Sequence, residues 1–336
     1  MALRMIEIYL SGGGGEWVKE ILEDVPLIGV WEQTSSEDLT TVKILLEVEK
    51  TEAVLDELEK HFGASGGFRV VLLPVEATLP RPEPPEKPPA DTQPLEKEKR
   101  KIKGSRISRE ELYSDLSETT NVSWVYLTFT VLSTIVASIG LLQNSVAVII
   151  GAMVIAPLLG PNVALALATT LGDVDLTRRS VKANLLGILI ALGISILVGF
   201  LVRIDPSVPE LLDRTKVGLG DILLALASGG AGALAFTTGV GASLIGVMVA
   251  VALLPPLVTT GLMLGSGHFD LAFGSFLLFG VNVICVNLSG VLTFLLQRVR
   301  PNTWWEADKA RLATRRAIAI WTALLLLLAM TIMMSQ

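Results

Sequence analysis

The chain has a single cysteine, Cys285, which excludes an intramolecular disulfide. Its two histidines, His61 and His268, lie far apart, and neither sits in a His/Cys/Asp/Glu cluster at metal-ligand spacing. Neither a metal nor another cofactor is expected. There is no Ser/His/Asp set and no phosphate-binding Gly-Lys-Ser/Thr loop, so no enzyme activity is expected. Carboxylates are missing from the middle of every long apolar run, which argues against a proton-relay acid of the pump kind. The first ten residues carry Glu7 in a short alternating stretch, and no cleavage site of small residues follows. The N-terminal part is therefore expected in the cytoplasm.

What the chain has in excess is apolar sequence, unevenly spread. Hydrophobic residues are 51% of the chain and mean hydropathy is +0.59, above the balance of a soluble domain. Residues 1–76 read as a soluble head, 77–109 as a Pro-rich and then basic linker, and nearly everything from Trp124 onward as membrane-like. The expected class is a polytopic α-helical membrane protein with an N-terminal α+β domain.

In the head, Met5–Leu10 alternates as a strand and Ser11 to Gly15 opens a helix running through Glu23. Strands fit Leu27–Gln33 and Thr41–Val48. Thr51 is expected to cap a helix carrying Val54, Leu55, Leu58 and Phe62, and Phe68–Leu73 is a last strand. That β-α-β-β-α-β order is the ferredoxin-like pattern, and it resembles ACT-type regulatory domains, which bind small metabolites near the first strand–helix turn. Gly12, Gly13, Gly14 and Gly15 occupy that turn, where free amides suit an anion or carboxylate. A flexible loop without a ligand is the plainer alternative. Up to Glu76 the head carries fifteen acids against six bases, which disfavours nucleic acid as a partner.

Leu79–Pro89 is too Pro-rich for helix or sheet and reads as an extended spacer. The basic run from Lys97 to Arg109 reads as the cytoplasmic flank of a first span. Ser108-Arg-Glu-Glu111 matches a capping box leading into an interfacial helix.

About seven spans are expected: Trp124–Leu142, Asn144–Leu171, Thr177–Val202, Leu219–Thr238, Gly241–Gly265, Phe269–Leu296 and Ala317–Met333. Shifted by 95 positions, the membrane region matches itself: Gly151 falls on Gly246, Met153 on Met248, Pro161 on Pro256, Gly172 on Gly267, Asp175 on Asp270 and Ser180 on Ser275. Two repeats follow, 110–202 (with the interfacial helix) and 203–297, then a basic loop and final span over 298–336. Asp175 and Asp270 each precede a long apolar helix and are expected as helix caps.

Gln143 to Leu158, followed by Gly-Asp-Val-Asp175 and Leu-Leu-Pro-Pro256, resembles the prokaryotic hydrophobic-domain family called domain of unknown function 389. The resemblance runs from the linker end through Leu296. It implies a multi-pass protein of a prokaryotic inner membrane and brings no catalytic or binding residues with it.

Each repeat has a span interrupted by proline: Pro157, Gly160 and Pro161 in the first, Pro255 and Pro256 in the second. Loosened backbone at membrane depth is tolerated where protein or a water-filled cavity satisfies it, and paired broken helices mark transport sites near the midplane. Asn162, Thr259 and Thr260 lie beyond the breaks, and Asn184, Asn282 and Asn287 on the following spans are expected to face the same place. Kinked packing is the plainer alternative. If each broken segment crosses once, the repeats are inverted and Arg178, Arg179 and Lys182 lie inside; if each is a hairpin, they are parallel and Arg203, Arg214 and Lys216 do. The inverted arrangement is preferred.

The expected function is a transporter or channel for an ion or small polar solute, regulated by the head; the alternative is a membrane-anchored sensor or scaffold without transport. Expected partners are the lipid bilayer, a second copy in a homodimer (a trimer being the next choice) and a small-molecule effector.

Overall fold

The computed structural model describes residues 3–11, 18, 22, 25, 27–34, 39–62, 68–75, 78, 107–238, 242–300 and 304–335, with backbone alone at 11, 34 and 39 and over 242–252, 304–309 and 333–335. The chain divides into two units, Met1–Leu112 and Tyr113–Gln336.

The first unit is built on a four-stranded antiparallel sheet of β1 (Leu3–Ser11), β2 (Gly29–Thr34), β3 (Leu39–Glu47) and β4 (Arg69–Val75), in the order β2-β3-β1-β4. Alternation sends Ile6, Ile8 and Leu10 of β1 and Val42, Ile44 and Leu46 of β3 to one face. There they pack with Val54 and Leu58 of α1 (Val48–Phe62) and with Val18 and Leu22. On the opposite face, Glu7 stands across from Lys43 and pairs with it at 2.7 Å, while the Tyr9 hydroxyl donates to Glu7 at 2.7 Å. The hydrogen bond from Lys43 holds the Glu7 carboxyl below its usual range.

Thr51 does not cap α1. The helix follows β3 directly from Val48, so Thr51 is already one turn in and its hydroxyl donates to the Glu47 carbonyl at 3.5 Å. The expected first helix, apart from Val18 and Leu22, and the Gly12–Gly15 turn lie outside the described residues. Ser108 caps α2 (Arg109–Thr119) by accepting from the Glu111 amide at 3.2 Å. Glu111 does not complete the box, because its carboxylate binds Arg4 through two hydrogen bonds of 2.6 and 3.0 Å.

The second unit holds α3 (Trp124–Leu142), α4 (Val146–Ile155), α5 (Leu159–Leu171), α6 (Val174–Leu201), the short α7 (Pro209–Leu212), α8 (Leu219–Thr238), α9 (Ala242–Gly265), α10 (Phe269–Leu296) and α11 (Trp304–Ser335). Among the described residues, five helices are long and apolar enough to cross a bilayer, six if the bent pair α4–α5 counts as one. α9, with 24 residues, is outside that count because its first eleven are described by backbone alone. The packing is inside-out relative to a soluble protein. α3 buries Thr130, Ser133, Thr134 and Ser138, each hydroxyl bonded to a backbone carbonyl three or four residues back, and exposes Phe129, Leu132, Ile135 and Ile139. Leu185, Leu189, Phe200, Leu223, Leu326 and Leu327 also face outward. So much outward apolar surface on helices long enough to span a bilayer fits a hydrocarbon surround. This is a multi-pass membrane protein.

Contacts at the helix ends fix the direction of every helix. Tyr113 donates to Asp173 at 2.8 Å and Arg179 to Ser117 at 3.2 Å, so the starts of α3 and α6 share one end of the bundle. The Gly172 turn abuts Ala310, and Thr314 bonds the Thr169 carbonyl at 3.3 Å, which adds the start of α11 to that end. At the opposite end the Glu210 amide donates to Asn144 at 3.1 Å, Gly265 packs on Phe200, and Gly274 on Thr215. The segment α4–α5 therefore runs from one end to the other once; its bend of 50° is far short of a hairpin's reversal.

Two glycines that the shift of 95 sets against each other share a backbone conformation. Gly172 and Gly267 close their helices with positive φ, 71° and 84°, a conformation glycine adopts without the Cβ penalty. The caps beyond them differ from expectation. Asp173, two residues before Asp175, is the N-cap of α6 and accepts from the Leu176 amide at 2.9 Å; His268 holds the equivalent position on α10. Asp175 and Asp270 fall in the first helical turn, where their charge meets the positive end of the helix dipole without capping it. Asp173→Ala is expected to lower stability by about 1–2 kcal/mol and Asp175→Ala by only about 0.5 kcal/mol, as read from thermal unfolding in detergent.

Candidate functional site

The break between α4 and α5 follows from Pro157. A residue before proline is pushed out of helical geometry, and Ala156 has φ −67° and ψ 122°. Gly160 and Pro161 lie in the first turn of α5, where an amide has no intrahelical partner to lose. A side chain at Gly160 would collide with Thr119, so the glycine lets α2 close over the break.

The expected counterpart in the second repeat is not broken: α9 passes through Pro255 and Pro256 as one helix. The shift of 95 sets Ala252, not a proline, against Pro157, so the residue that ejects Ala156 from the helix has no equivalent. What remains is a loosened stretch, since the amides lost at Pro255 and Pro256 would have served the carbonyls of Val251 and Ala252.

One turn beyond the break, Asn162 joins three helices. Its side-chain amide uses both hydrogens, one to the Leu158 carbonyl and one to Asn184 Oδ1 on α6, each at 2.8 Å. Its carbonyl accepts from Asn287 Nδ2 on α10 at 3.0 Å, and that same amide also donates to the Val283 carbonyl at 2.9 Å. Asn162, Asn184 and Asn287 are 5, 9 and 0% exposed. The chain of amides thus has a sense, α10 to α5 to α6, and each bond polarises the next. Among the described residues both its ends are open: Asn287 Oδ1 and Asn184 Nδ2 are buried and meet no partner there.

Two of the expected polar residues stand apart from this chain: Thr260 bonds back to the Pro256 carbonyl at 2.8 Å, and Thr259 is wholly buried with no hydroxyl partner among the described residues. Asn282 is buried on α10. Leu158 and the hydroxyl of Tyr126, the third residue of α3, meet over Gly187 of α6, so the break lies toward the Trp124 end. Tyr126 donates to the Ala183 carbonyl there at 2.8 Å. Asn184 sits where the charged first third of α6 (Asp175, Arg178, Arg179, Lys182) gives way to its apolar run.

The same end carries a cavity of about 460 Å³ that the sequence did not disclose, lined by Ser117, Glu118, Thr120, Asn121, Arg179 and Lys182. Beside it, burial and the hydrogen bond to Asp173 hold the Tyr113 hydroxyl above its usual pKa, which keeps it a donor. In the Gly-rich run Ser228–Ala233 of α8, Gly229 packs inside the protomer against Val286 and Ser289 of α10.

Residues 153–288 match the protein family described as Domain of unknown function (DUF389). An uncharacterized protein of Methanocaldococcus jannaschii is 33% identical over 324 residues, covering 96% of this chain and 97% of that protein. No solved structure matches.

Proposed function

The chain belongs to the DUF389 family, and on that premise we propose that it is a membrane transporter or channel for an ion or small polar solute. The observation that carries the reading is the Asn162–Asn184–Asn287 chain with its two open ends. A buried polar atom without a partner costs about 1–3 kcal/mol, so two at the ends of one chain are best explained by a ligand that satisfies them. An unpartnered carbonyl oxygen suits a cation or hydroxyl, and an amide N–H suits an acceptor on the solute. Neutral amides bind and release without a proton, in keeping with spans that hold no deep carboxylate. No reaction is assigned to the chain.

The finer architecture belongs to the same proposal. Each repeat forms three crossings and α11 a seventh, with the repeats inverted. Arg178, Arg179, Lys182, Arg298, Arg300, Arg311 and Arg315 cluster at the Trp124 end, against Arg203, Arg214 and Lys216 at the other. That excess supports the reading in which the Trp124 end and the head face the cytoplasm at a prokaryotic inner membrane. The head is proposed as a ferredoxin-like, ACT-like sensor that takes a small anionic effector at Gly12–Gly15. Trp31, half-exposed on edge strand β2, is where a second copy would pair to make the dimer.

Two measurements test this. With Cys285 replaced by Ser, a cysteine at Thr177 should resist an impermeant maleimide in intact cells and react after lysis; labelling in intact cells overturns the orientation. In proteoliposomes, the full chain should raise permeability to at least one solute of a broad ion and polar-solute panel. Unchanged permeability of folded protein across that panel overturns transport in favour of a membrane-anchored sensor or scaffold.

A further inference from the structure

The cavity of about 460 Å³ at the Trp124 end lies between the close of α2, the link into α3 and the start of α6, and it holds charges of both signs. Arg179 and Lys182, three residues apart, present two cations from one face of α6, and Glu118 brings a carboxylate from the last turn of α2. Among the described residues no hydrogen bond or ion pair reaches the side chain of Lys182 or Glu118. Arg179 is held by hydroxyls alone, donating to Ser117 at 3.2 Å and, weakly, to Tyr113 at 3.5 Å. The Asp173 carboxylate accepts from the same Tyr113 hydroxyl and forms no ion pair with Arg179. Arg179 is thus oriented without being neutralised.

We propose that this cavity binds a phosphoethanolamine headgroup, that of the lipid phosphatidylethanolamine, with its phosphate on Arg179 and Lys182 and its ammonium on Glu118. The inference rests on reading the apolar helices as membrane spans and is independent of the transport proposal. Two cations side by side repel each other and favour a shared oxyanion, and a guanidinium takes phosphate oxygens in pairs. A purely anionic ligand would also set its charge against Glu118, whereas a phosphate joined to a primary ammonium answers both signs. That ammonium carries three N–H donors for the carboxylate, which a quaternary choline lacks. The surroundings favour a lipid over a free zwitterion. Lys182, Leu185 and Leu189 follow one another along one stripe of α6 at helical spacing, and both leucines are exposed. An acyl chain leaving the cavity would run along that stripe, with the charged groups at headgroup depth. Trp124, exposed at the start of α3, is the residue type that marks such an interface. The volume falls within the range of small-molecule sites.

The test uses the full chain purified in a neutral detergent, with phosphatidylethanolamine, phosphatidylglycerol, phosphatidylcholine or soluble O-phosphoethanolamine added. Phosphatidylethanolamine should raise Tm and remain bound in native mass spectrometry, about threefold or more tighter than either other lipid. Lys182→Gln removes an exposed side chain without a partner, so it should fold and should weaken binding of both phosphatidylethanolamine and phosphatidylglycerol. Glu118→Gln should erase the preference for phosphatidylethanolamine while leaving phosphatidylglycerol binding unchanged or tighter. Arg203→Gln, at the opposite end of the bundle, should alter neither. Equal binding of phosphatidylethanolamine and phosphatidylcholine, a preference that survives Glu118→Gln, or unchanged binding in Lys182→Gln overturns the proposal. Phosphatidylglycerol binding as tightly as phosphatidylethanolamine overturns the zwitterion assignment and makes the cavity an anion site. An equal Tm rise from O-phosphoethanolamine overturns the lipid assignment in favour of a soluble ligand.

Discussion

Asn162→Leu is expected to lower solute flux through reconstituted protein by about tenfold or more, while the variant still purifies as a folded, monodisperse species. Leucine fills nearly the same volume but can neither accept from Asn287 nor donate to Asn184, so the chain of amides is cut at its middle. Losing one hydrogen-bonding group in a buried polar network is worth on the order of 1–3 kcal/mol, and about 1.4 kcal/mol already corresponds to a factor of ten. Asn162→Asp sharpens the result. It keeps an acceptor for Asn287, loses the donor to Asn184 and adds a negative charge, so cation and anion fluxes should change in opposite senses. If Asn162→Leu folds and conducts as the wild type does, the asparagine chain is a packing device and the site lies elsewhere.

The second large effect is expected where the two repeats touch. On α6, Gly187, Ala191, Ser195 and Gly199 form a buried stripe of small residues at a spacing of four. α9 answers with Gly261 and Gly265. A Cβ on Gly261 would overlap the Ser195 hydroxyl, one on Gly265 would strike the Ile196 carbonyl, and one on Gly199 the Leu262 carbonyl. With backbones this close, even a methyl group must push the helices apart. Gly261→Ala is expected to destabilise by about 3 kcal/mol, and Gly261→Leu to yield no folded protein. Gly151→Ala and Gly193→Ala serve as controls, since nothing lies within 4 Å of a Cβ at either position. Both should be neutral or stabilising by up to about 1 kcal/mol, the helix-propensity difference between glycine and alanine. Pairing Ser195→Gly with Gly261→Ala should recover part of the loss in a double-mutant cycle on thermal stability. A Gly261→Ala protein as stable as the wild type would refute this account of the interface.

How much of this could be read from the sequence depends on the range of the physics involved. Helix termini set by local chemistry were legible: Trp124–Leu142, Leu219–Thr238 and Phe269–Leu296 stand where their apolar runs begin and end. Pro157 marked the break because its effect on Ala156 acts within one residue. Asn162, Asn184 and Asn287 could be named as polar residues expected to face one place, but not which amide bonds which, since Asn287 is 125 residues from Asn162. The Gly261–Gly265 contact stayed hidden for the same reason, as a spacing of small residues is common in an apolar chain and only the facing stripe gives it meaning. Pro255 and Pro256 misled because two prolines were read as a break, although the residue whose geometry decides the matter in the first repeat has become Ala252 in the second. Asp173 was passed over as a cap because Asp175 fits the repeat alignment, and the alignment carries no information about which carboxylate reaches the Leu176 amide.

The unequal treatment of the two halves has a thermodynamic consequence. In an inverted-repeat protein that worked by exchanging the conformations of its halves, two identical halves would make the inward-facing and outward-facing states equal in energy in a symmetric membrane. Here one half is already severed at Ala156–Leu158, whereas the other holds its strain within an unbroken helix at Pro255–Pro256. The exchange would require the first half to re-form helix across Pro157 and the second to give way beside Ala252, which are different penalties. Such a protein would rest predominantly facing one way when empty, and a solute would have to offset that tilt with its own binding energy before the opposite state became populated.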